Sequence, residues 1–171
     1  MIPSALNDFM CFNEGGQMTG MVDINLSNVA YMTETLSGAG IMGELELPIT
    51  GKFQSLTMTI NWRSLTDENI IFLAPRTYHF DLRGSVELYD PDSGQSSTKG
   101  LIIVTRLRPK TMSLGTFAPA ANMGTNCEFE ILYLLAKVDR VDKVEIDKLN
   151  YKFIVDGTDY MEGHARNLGL R

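Results

Sequence analysis

The sequence predicts a mainly β domain, a sandwich or barrel with one or two short α-helices, and not a doubly wound sheet. Three observations support this. Apolar and polar residues alternate with period two in several segments, as in strands that are buried on one face. Turn-forming clusters separate these segments at residues 14–16, 90–94 and 156–157. A helical pattern is convincing in only one internal segment.

Alternation is clearest at residues 56–62, 78–88 and 127–135. In the third segment the odd-numbered residues from Cys127 to Leu135 are expected to face the core, with Glu128 and Glu130 between the first of them. Further strand candidates are residues 8–13, 18–26, 99–108 and 143–155. The strand patterns on either side of residues 90–97 predict a long hairpin. Residues 89–98 are its expected projecting end.

The internal helix is expected to begin after Thr66 and to end before Pro75, because threonine caps helices well and proline stops them. Asp67 and Glu68 in the first turn complement the helix dipole. Its expected buried face consists of Ile70, Ile71, Phe72 and Leu73. A short C-terminal helix is predicted within residues 160–168.

Length and charge limit the possible functions. The chain has 171 residues, which suits a single domain, residues 1–171, with its own core. A net charge of -6 argues against a basic surface that binds nucleic acid. No apolar stretch approaches the roughly 20 residues that cross a bilayer, and residues 1–10 lack a secretory signal pattern, so no membrane anchoring is expected. Cys11 and Cys127 are expected to be reduced, buried side chains.

The motifs that suggest chemistry are incomplete. A G-x-G-x-x-G pattern at Gly38, Gly40 and Gly43 is followed by an alternating segment that ends in proline, where a dinucleotide site needs a helix. We therefore interpret residues 33–43 as a mobile glycine-rich loop. Asp90 and Asp92 hint at a calcium loop but lack its distal glutamate, so a hairpin tip is the better interpretation.

Catalytic and metal-binding patterns are also weak. His79 and His164 have no second ligand at zinc spacing, and no nucleophile elbow occurs. We expect no catalytic residues, no metal and no cofactor, and therefore no enzyme.

Carboxylates recur at alternate positions, as in the pairs Glu44 with Glu46 and Glu128 with Glu130. Such pairs share one face of a strand. Two interpretations remain open: an ordinary solvated sheet face, or an acidic wall that repels a polyanion moving beside it.

The order of segments resembles the major tail tube protein family of contractile-tailed bacteriophages over nearly the whole chain. Residues 6–20 are similar to the family's opening strand, glycine turn and second strand, and residues 26–43 to its following segment and glycine-rich loop, with Ser27 where proline is common. The more specific similarity is C-terminal. Residues 144–150 resemble an E-I-D-x-x-N strand, residues 155–160 a G-x-D turn, and residues 164–170 an R-x-x-L-G-L terminus.

The resemblance implies a tail-tube-type β-sandwich or barrel whose copies form hexameric rings, stacked into a tube through which DNA passes without specific binding. The implied partners are further copies of the chain, the tail sheath protein, and the baseplate or initiator and tape measure proteins. The implied location is the virion tail, after synthesis in the bacterial host cytoplasm. Two alternatives remain: the tube of a phage-derived bacteriocin or secretion-type particle without DNA passage, and a monomeric ligand-binding β-barrel.

Four segments are the expected assembly elements: residues 1–14, the loop 33–43, the hairpin 89–98 and residues 157–171. Candidate contacts between subunits or rings are Glu34, Leu36, Gly38, Gly40, Ile41, Met42, Asp159, Tyr160, Arg166, Leu168 and Leu170. Candidate channel-facing acids are Glu44, Glu46, Glu128 and Glu130.

Overall fold

The computed structural model describes residues 2–14 and 16–170, which form two antiparallel sheets and two short helices. The strands are β1 (Ile2–Asn13), β2 (Gly16–Gln17), β3 (Met21–Leu26), β4 (Tyr31–Ser37), β5 (Glu44–Phe53), β6 (Thr57–Trp62), β7 (Tyr78–Tyr89), β8 (Ser96–Ser113), β9 (Thr125–Val138), β10 (Val141–Asp147), β11 (Lys152–Val155) and β12 (Thr158–Asp159). The helices are α1 (Asp67–Ile70), which runs into a 3₁₀ turn (Ile71–Leu73), and α2 (Glu162–Asn167). The predicted fold class, mainly β with short helices, is confirmed.

Strand β9 organises the main sheet, whose order is β12-β11-β10-β9-β8-β7-β1-β2. One edge of β9 pairs with β8. The other edge pairs first with β6 and then with β10, because β9 has 14 residues and each partner needs only about half of them. Strand β3 pairs with β6, so the β3–β6 ribbon packs over only part of the sheet. Strands β4 and β5 form a separate two-stranded sheet.

The core is an aromatic cluster around Phe72, whose side chain is 1% exposed. Its ring lies 5.0 Å from Tyr78, 5.4 Å from Phe80 and 5.8 Å from Phe129, measured between centroids. The Tyr78 hydroxyl donates a hydrogen bond to the Ile71 carbonyl at 2.6 Å, which satisfies a buried polar group and holds the 3₁₀ turn against the sheet.

The helix begins after Thr66 as predicted, but the expectation that four apolar residues form its buried face is wrong. Only Phe72 is buried, whereas Ile70, Ile71 and Leu73 are exposed. The reason is length. A single α-turn followed by a 3₁₀ turn does not present a wide face, so only one of the four apolar side chains reaches the core.

Several strand boundaries differ from the predicted ones. The long hairpin is confirmed, since β7 and β8 pair continuously from Tyr78 opposite Leu107 to Tyr89 opposite Ser96. The segment 143–155 is two strands, because Tyr151 adopts a positive φ of 52° in the turn between β10 and β11. Segment 18–26 is strand only from Met21, and the first strand starts at Ile2 instead of residue 8.

A β-bulge in β9 reverses the expected alternation. Leu107 lies opposite Ile131 and Arg106 opposite Tyr133, so Leu132 is an extra residue. Before the bulge the odd-numbered Cys127, Phe129 and Ile131 are buried as predicted. After it Leu134 packs against the core, and the Tyr133 hydroxyl instead donates to Glu145 at 3.2 Å. The predicted inward orientation of Tyr133 is therefore wrong.

Cys11 and Cys127 are both buried with free thiols, as expected. Removal from water disfavours the thiolate, so burial raises the pKa of each to about 12. Within residues 2–14 and 16–170, no helix has the length and apolar character needed to span a membrane.

Candidate assembly surfaces

The β4–β5 hairpin stands apart from the main sheet, because its two strands pair only with each other in the part of the chain that the structure describes. Residues 33–37 belong to β4, so the predicted mobile loop 33–43 is in fact half strand and half turn. Gly38, Gly40 and Gly43 lie in that turn and lead into β5, a strand and not the helix that a dinucleotide site requires.

The two faces of this hairpin differ in polarity. Residues that pair across antiparallel strands share a face. Thr35 lies opposite Glu46 and Ser37 opposite Glu44, which makes one face polar. The other face, which we call the apolar hairpin face, consists of Leu36 opposite Leu45 and Glu34 opposite Leu47. Its three leucines are 37–47% exposed, and at the tip Ile41 is 40% and Met42 105% exposed.

Aromatic rings connect the base of the hairpin to the C-terminal part of the chain. Phe53 lies 5.2 Å from Tyr31 and 5.0 Å from Phe153 between ring centroids, and Phe153 lies 5.7 Å from Tyr160. Offset and edge-to-face ring pairs add stability beyond the area that they bury. The hairpin and the C-terminal segment are therefore held together at one place.

The C-terminal segment has buried anchors and exposed apolar side chains. Ala165 is fully buried and Met161 is 4% exposed, so both hold α2 against the domain. The Asp159 carboxylate accepts a hydrogen bond from the Met161 backbone N–H at 2.9 Å, just before the helix. The predicted contact residues Tyr160, Leu168 and Leu170 are each more than half exposed. Arg166 forms an exposed i,i+4 ion pair with Glu162 at 2.8 Å.

Strand β1 supplies a long sheet edge. It pairs with β7 on one side, whereas on its other side β2 covers only Phe12 and Asn13. Among the described residues the rest of that edge has no strand partner. Ile2, Leu6 and Met10 are about half exposed there. An open edge of this kind is a site for pairing with another chain. Met1, also in the predicted N-terminal element, lies outside the described residues.

The 89–98 hairpin tip is a closed turn. Ser93 Oγ donates to the Asp90 carboxylate at 2.7 Å, and the Gly94 backbone N–H donates to the Asp90 carbonyl at 2.8 Å. The hydrogen bond from Ser93, followed by that from the Asp92 backbone, lowers the pKa of Asp90. The aspartate thus stabilises the turn. Within the described residues, no three His, Cys, Asp or Glu side chains form a group suited to a metal.

The candidate channel acids separate into two kinds. Glu44 and Glu46 are exposed on the polar hairpin face and have no ion pair among the described residues. Glu128 and Glu130 are half-buried on the main sheet, where each lies 3.0 Å from a lysine Nζ, Lys110 and Lys148 respectively. Burial opposes ionisation of Glu130, but a hydrogen bond from Ser55 and the charge of Lys148 outweigh burial and lower its pKa.

The net charge is segregated along the chain. Residues 1–51 contain six Asp or Glu and no Lys or Arg, and they account for the whole net charge of -6. The rest of the chain has 15 bases and as many acids, and its ion pairs join these residues to one another, as in the cross-strand pairs of Arg106 with Asp147, Lys137 with Asp142 and Lys152 with Glu145. The acidic character of the protein therefore belongs to β1 and the turn after it, β3 and the β4–β5 hairpin.

An apolar groove, which we call the β3 groove, lies between β3 and the inner face of β1, β7 and β8. Its lining consists of Leu6, Phe9, Asp23, Ile24, Leu26, Leu82, Gly84, Leu101 and Ile103. Sequence reasoning missed it, because its residues come from four strands that meet only through long-range pairing. One sequence signal could have indicated the groove: the long strands of the main sheet have more inward-facing apolar positions than the short β3–β6 ribbon can cover.

Comparison with known proteins gives a family, a relative and a solved structure. The family model described as phage tail tube protein FII matches residues 3–169. The tail tube protein of Escherichia phage P2 is 24% identical over 172 residues, which cover 99% of each chain. A solved chain of an extracellular contractile injection system, the PVC sheath–tube complex in its extended state, has a TM-score of 0.47 and 14% identity, covering 80% of this chain and 89% of that one.

Proposed function

The chain belongs to the phage tail tube protein FII family, and we propose from this membership that it is the structural subunit of the inner tube of a contractile phage tail. In this role copies form hexameric rings, and the rings stack around a channel for DNA. The observation that carries the proposal is the family match over residues 3–169, essentially the whole chain. The family match also supports a location in the virion tail.

The surfaces of the isolated subunit support self-assembly. Among the described residues no strand pairs with the outer edge of β1 from Ile2 to Met10, and exposed apolar side chains cluster on the hairpin and on the C-terminal segment. A soluble monomer gains nothing from such surfaces, since open edges and apolar patches promote aggregation. In a closed ring the same surfaces are covered by neighbouring copies.

The acidic hairpin supports passage of DNA without binding. Glu44 and Glu46 are exposed and unpaired in the described structure, so their field reaches solvent. Glu128 and Glu130 are each compensated by a lysine, which cancels most of their field at a distance. We therefore assign the repelling role to Glu44 and Glu46. Glu44→Gln/Glu46→Gln tubes should bind DNA more tightly than Glu128→Gln/Glu130→Gln tubes do at low salt, measured by fluorescence anisotropy. Equal binding by the two would contradict this assignment.

We propose no enzymatic activity for this subunit. His79 and His164 are both exposed, and neither belongs to a cluster with a nucleophile and an orienting acid. The proposed partners are further copies, the sheath protein around the tube, the baseplate or initiator at one end and the tape measure protein inside. Each of them needs a protein surface and none needs catalytic chemistry.

Electron microscopy of the purified protein in negative stain, with light scattering on the same sample, tests the proposal. We expect rings or hollow tubes. Tube growth can require a nucleus, so a sample of monomers is next mixed with preformed tube ends or baseplates. Monomers that persist after this addition would refute the tube function and favour a monomeric ligand-binding barrel. Tubes isolated from particles that lack DNA would instead favour the phage-derived particle.

A further inference from the structure

The β3 groove is apolar because the covering ribbon is narrower than the sheet beneath it. Strands β3 and β6 form a two-stranded ribbon, whereas the main sheet continues past it through β8, β7 and β1. Leu82 is 9% exposed, while Leu26 at the rim is 41% and Leu6 is 51% exposed. The groove has a volume of about 330 Å³, and β3 bounds it with an edge that no described strand pairs with.

The hairpin of the same chain does not cover this groove. The β3–β6 ladder continues toward the hairpin through hydrogen bonds from Ser27 N–H to the Thr57 carbonyl at 2.8 Å and from Gln54 N–H to the Ala30 carbonyl at 2.9 Å. The hairpin therefore projects from the end of the ribbon. Its base is held by Phe153 on β11, three strands away from β8 in the sheet.

The apolar hairpin face and the groove are complementary. The hairpin face presents three leucines and one acid, Glu34. Besides leucine, isoleucine and phenylalanine, the groove lining includes Asp23, whose carboxylate accepts the side-chain amides of Asn25 and Asn61. Lys99 lies on the same face of β8 as the groove residue Leu101, two positions away. Lys99 is half exposed, and its Nζ lies 3.7 Å from Asp139, a long surface pair that is worth little. Lys99 is thus available to a second acid.

We propose that the β3 groove of one copy receives the apolar hairpin face of a second copy, with Glu34 of the hairpin paired to Lys99 beside the groove. This inference rests on the proposed tube function and specifies a contact within it. Because the hairpin and the groove are different surfaces, the contact is heterologous. Such a contact repeats from copy to copy and closes into a ring where the rotation allows.

Disulfide trapping tests the contact directly. One sample carries Leu45→Cys, on the apolar hairpin face, and a second sample carries Leu26→Cys, in the groove. The two samples are mixed under mild oxidation. The native Cys11 and Cys127 are both 0% exposed, so the unaltered protein serves as the background. We expect a cross-linked heterodimer from the mixture and its loss when Thr35→Cys, on the polar hairpin face, replaces Leu45→Cys.

The outcomes separate the contact from the tube. Tubes in the microscope without the Leu45–Leu26 cross-link would overturn the groove contact and leave the tube function standing. A cross-link of equal yield from Thr35→Cys would also overturn it. In a chain carrying both cysteines, a bond formed within one chain would overturn the role of a second copy. Absence of both assembly and cross-link after preformed tube ends or baseplates have been added would refute the two proposals together.

A charge exchange tests the ion pair. Glu34→Lys and Lys99→Glu each place like charges together, so each should raise the concentration needed for assembly about tenfold. The double variant restores opposite charges and should recover most of that loss. Additive losses in the double variant would overturn the pairing of Glu34 with Lys99. Unfolding curves of the four proteins check that every variant is folded.

Discussion

The Asp147 carboxylate accepts the side-chain amide of Asn150 at 2.7 Å and thereby closes the turn between β10 and β11. The same carboxylate accepts the backbone N–H groups of Leu149 and Asn150, both at 3.1 Å, and Arg106 Nη2 at 3.2 Å. Asp147 and Asn150 are the acid and the amide of the E-I-D-x-x-N pattern. The motif thus has a structural role, because a nearly buried acceptor with four donors defines one turn geometry.

Asp147→Asn should destabilise the protein by about 1–3 kcal/mol, since the turn donors and Arg106 lose a charged acceptor. Urea unfolding followed by circular dichroism measures the change. Asp142→Asn is the matched control, because Asp142 is exposed and its one ion pair within the described residues is a surface pair with Lys137. We expect that control to change stability by less than about 0.5 kcal/mol. Equal losses in the two variants would contradict the role of Asp147.

Gly51→Ala should destabilise the attachment of the C-terminal segment. Gly51 has a φ of 70°, and a Cβ there would lie 2.0 Å from the buried Met161 Sδ. Gly40→Ala is the control, since Gly40 has a φ of 92° but no atom within 4 Å of the added carbon. Both variants carry the backbone cost of about 1–2 kcal/mol. Only Gly51→Ala adds the steric cost, so its unfolding midpoint should be lower. Indistinguishable midpoints would show that Met161 moves aside freely.

Glu130 should contribute to the acid sensitivity of the fold. The pKa of Glu130 is lowered in the folded state, so its ionised carboxylate stabilises the protein at pH values above 4.5, the ordinary pKa of the group. This contribution is lost as the pH falls through the lowered pKa. In Glu130→Gln the free energy of unfolding should therefore decrease less steeply as the pH is lowered over that acid range. Lys148→Gln removes the partner and should flatten the same range partly. Unchanged curves in both variants would refute the contribution.

Deleting residues 34–42 should block polymerisation and leave the main domain folded. The deletion removes most of β4 and the glycine turn, and these residues contact no strand of the main sheet through ladder hydrogen bonds. Thermal unfolding of the monomer reports the fold, and electron microscopy reports assembly. Normal tubes from the deletion variant would exclude the hairpin as an assembly element.

The alternating segments and the turn clusters between them were sufficient to predict a mainly β fold and the long β7–β8 hairpin, because periodicity reports which residues face a core. The cap at Thr66 and the stop at Pro75 predicted the internal helix. The terminal patterns indicated the family. Both kinds of signal are local, since each depends on residues near one another in the chain.

The register of the sheet is not a local property. The bulge at Leu132 turns Tyr133 away from the core, and pairing with distant strands brings Lys110 to Glu128 and Lys148 to Glu130. The β3 groove likewise exists only because a two-stranded ribbon covers a wider sheet. These features depend on which strands meet and in what register. Pairing energy summed over long-range contacts selects that arrangement, and no single segment contains it.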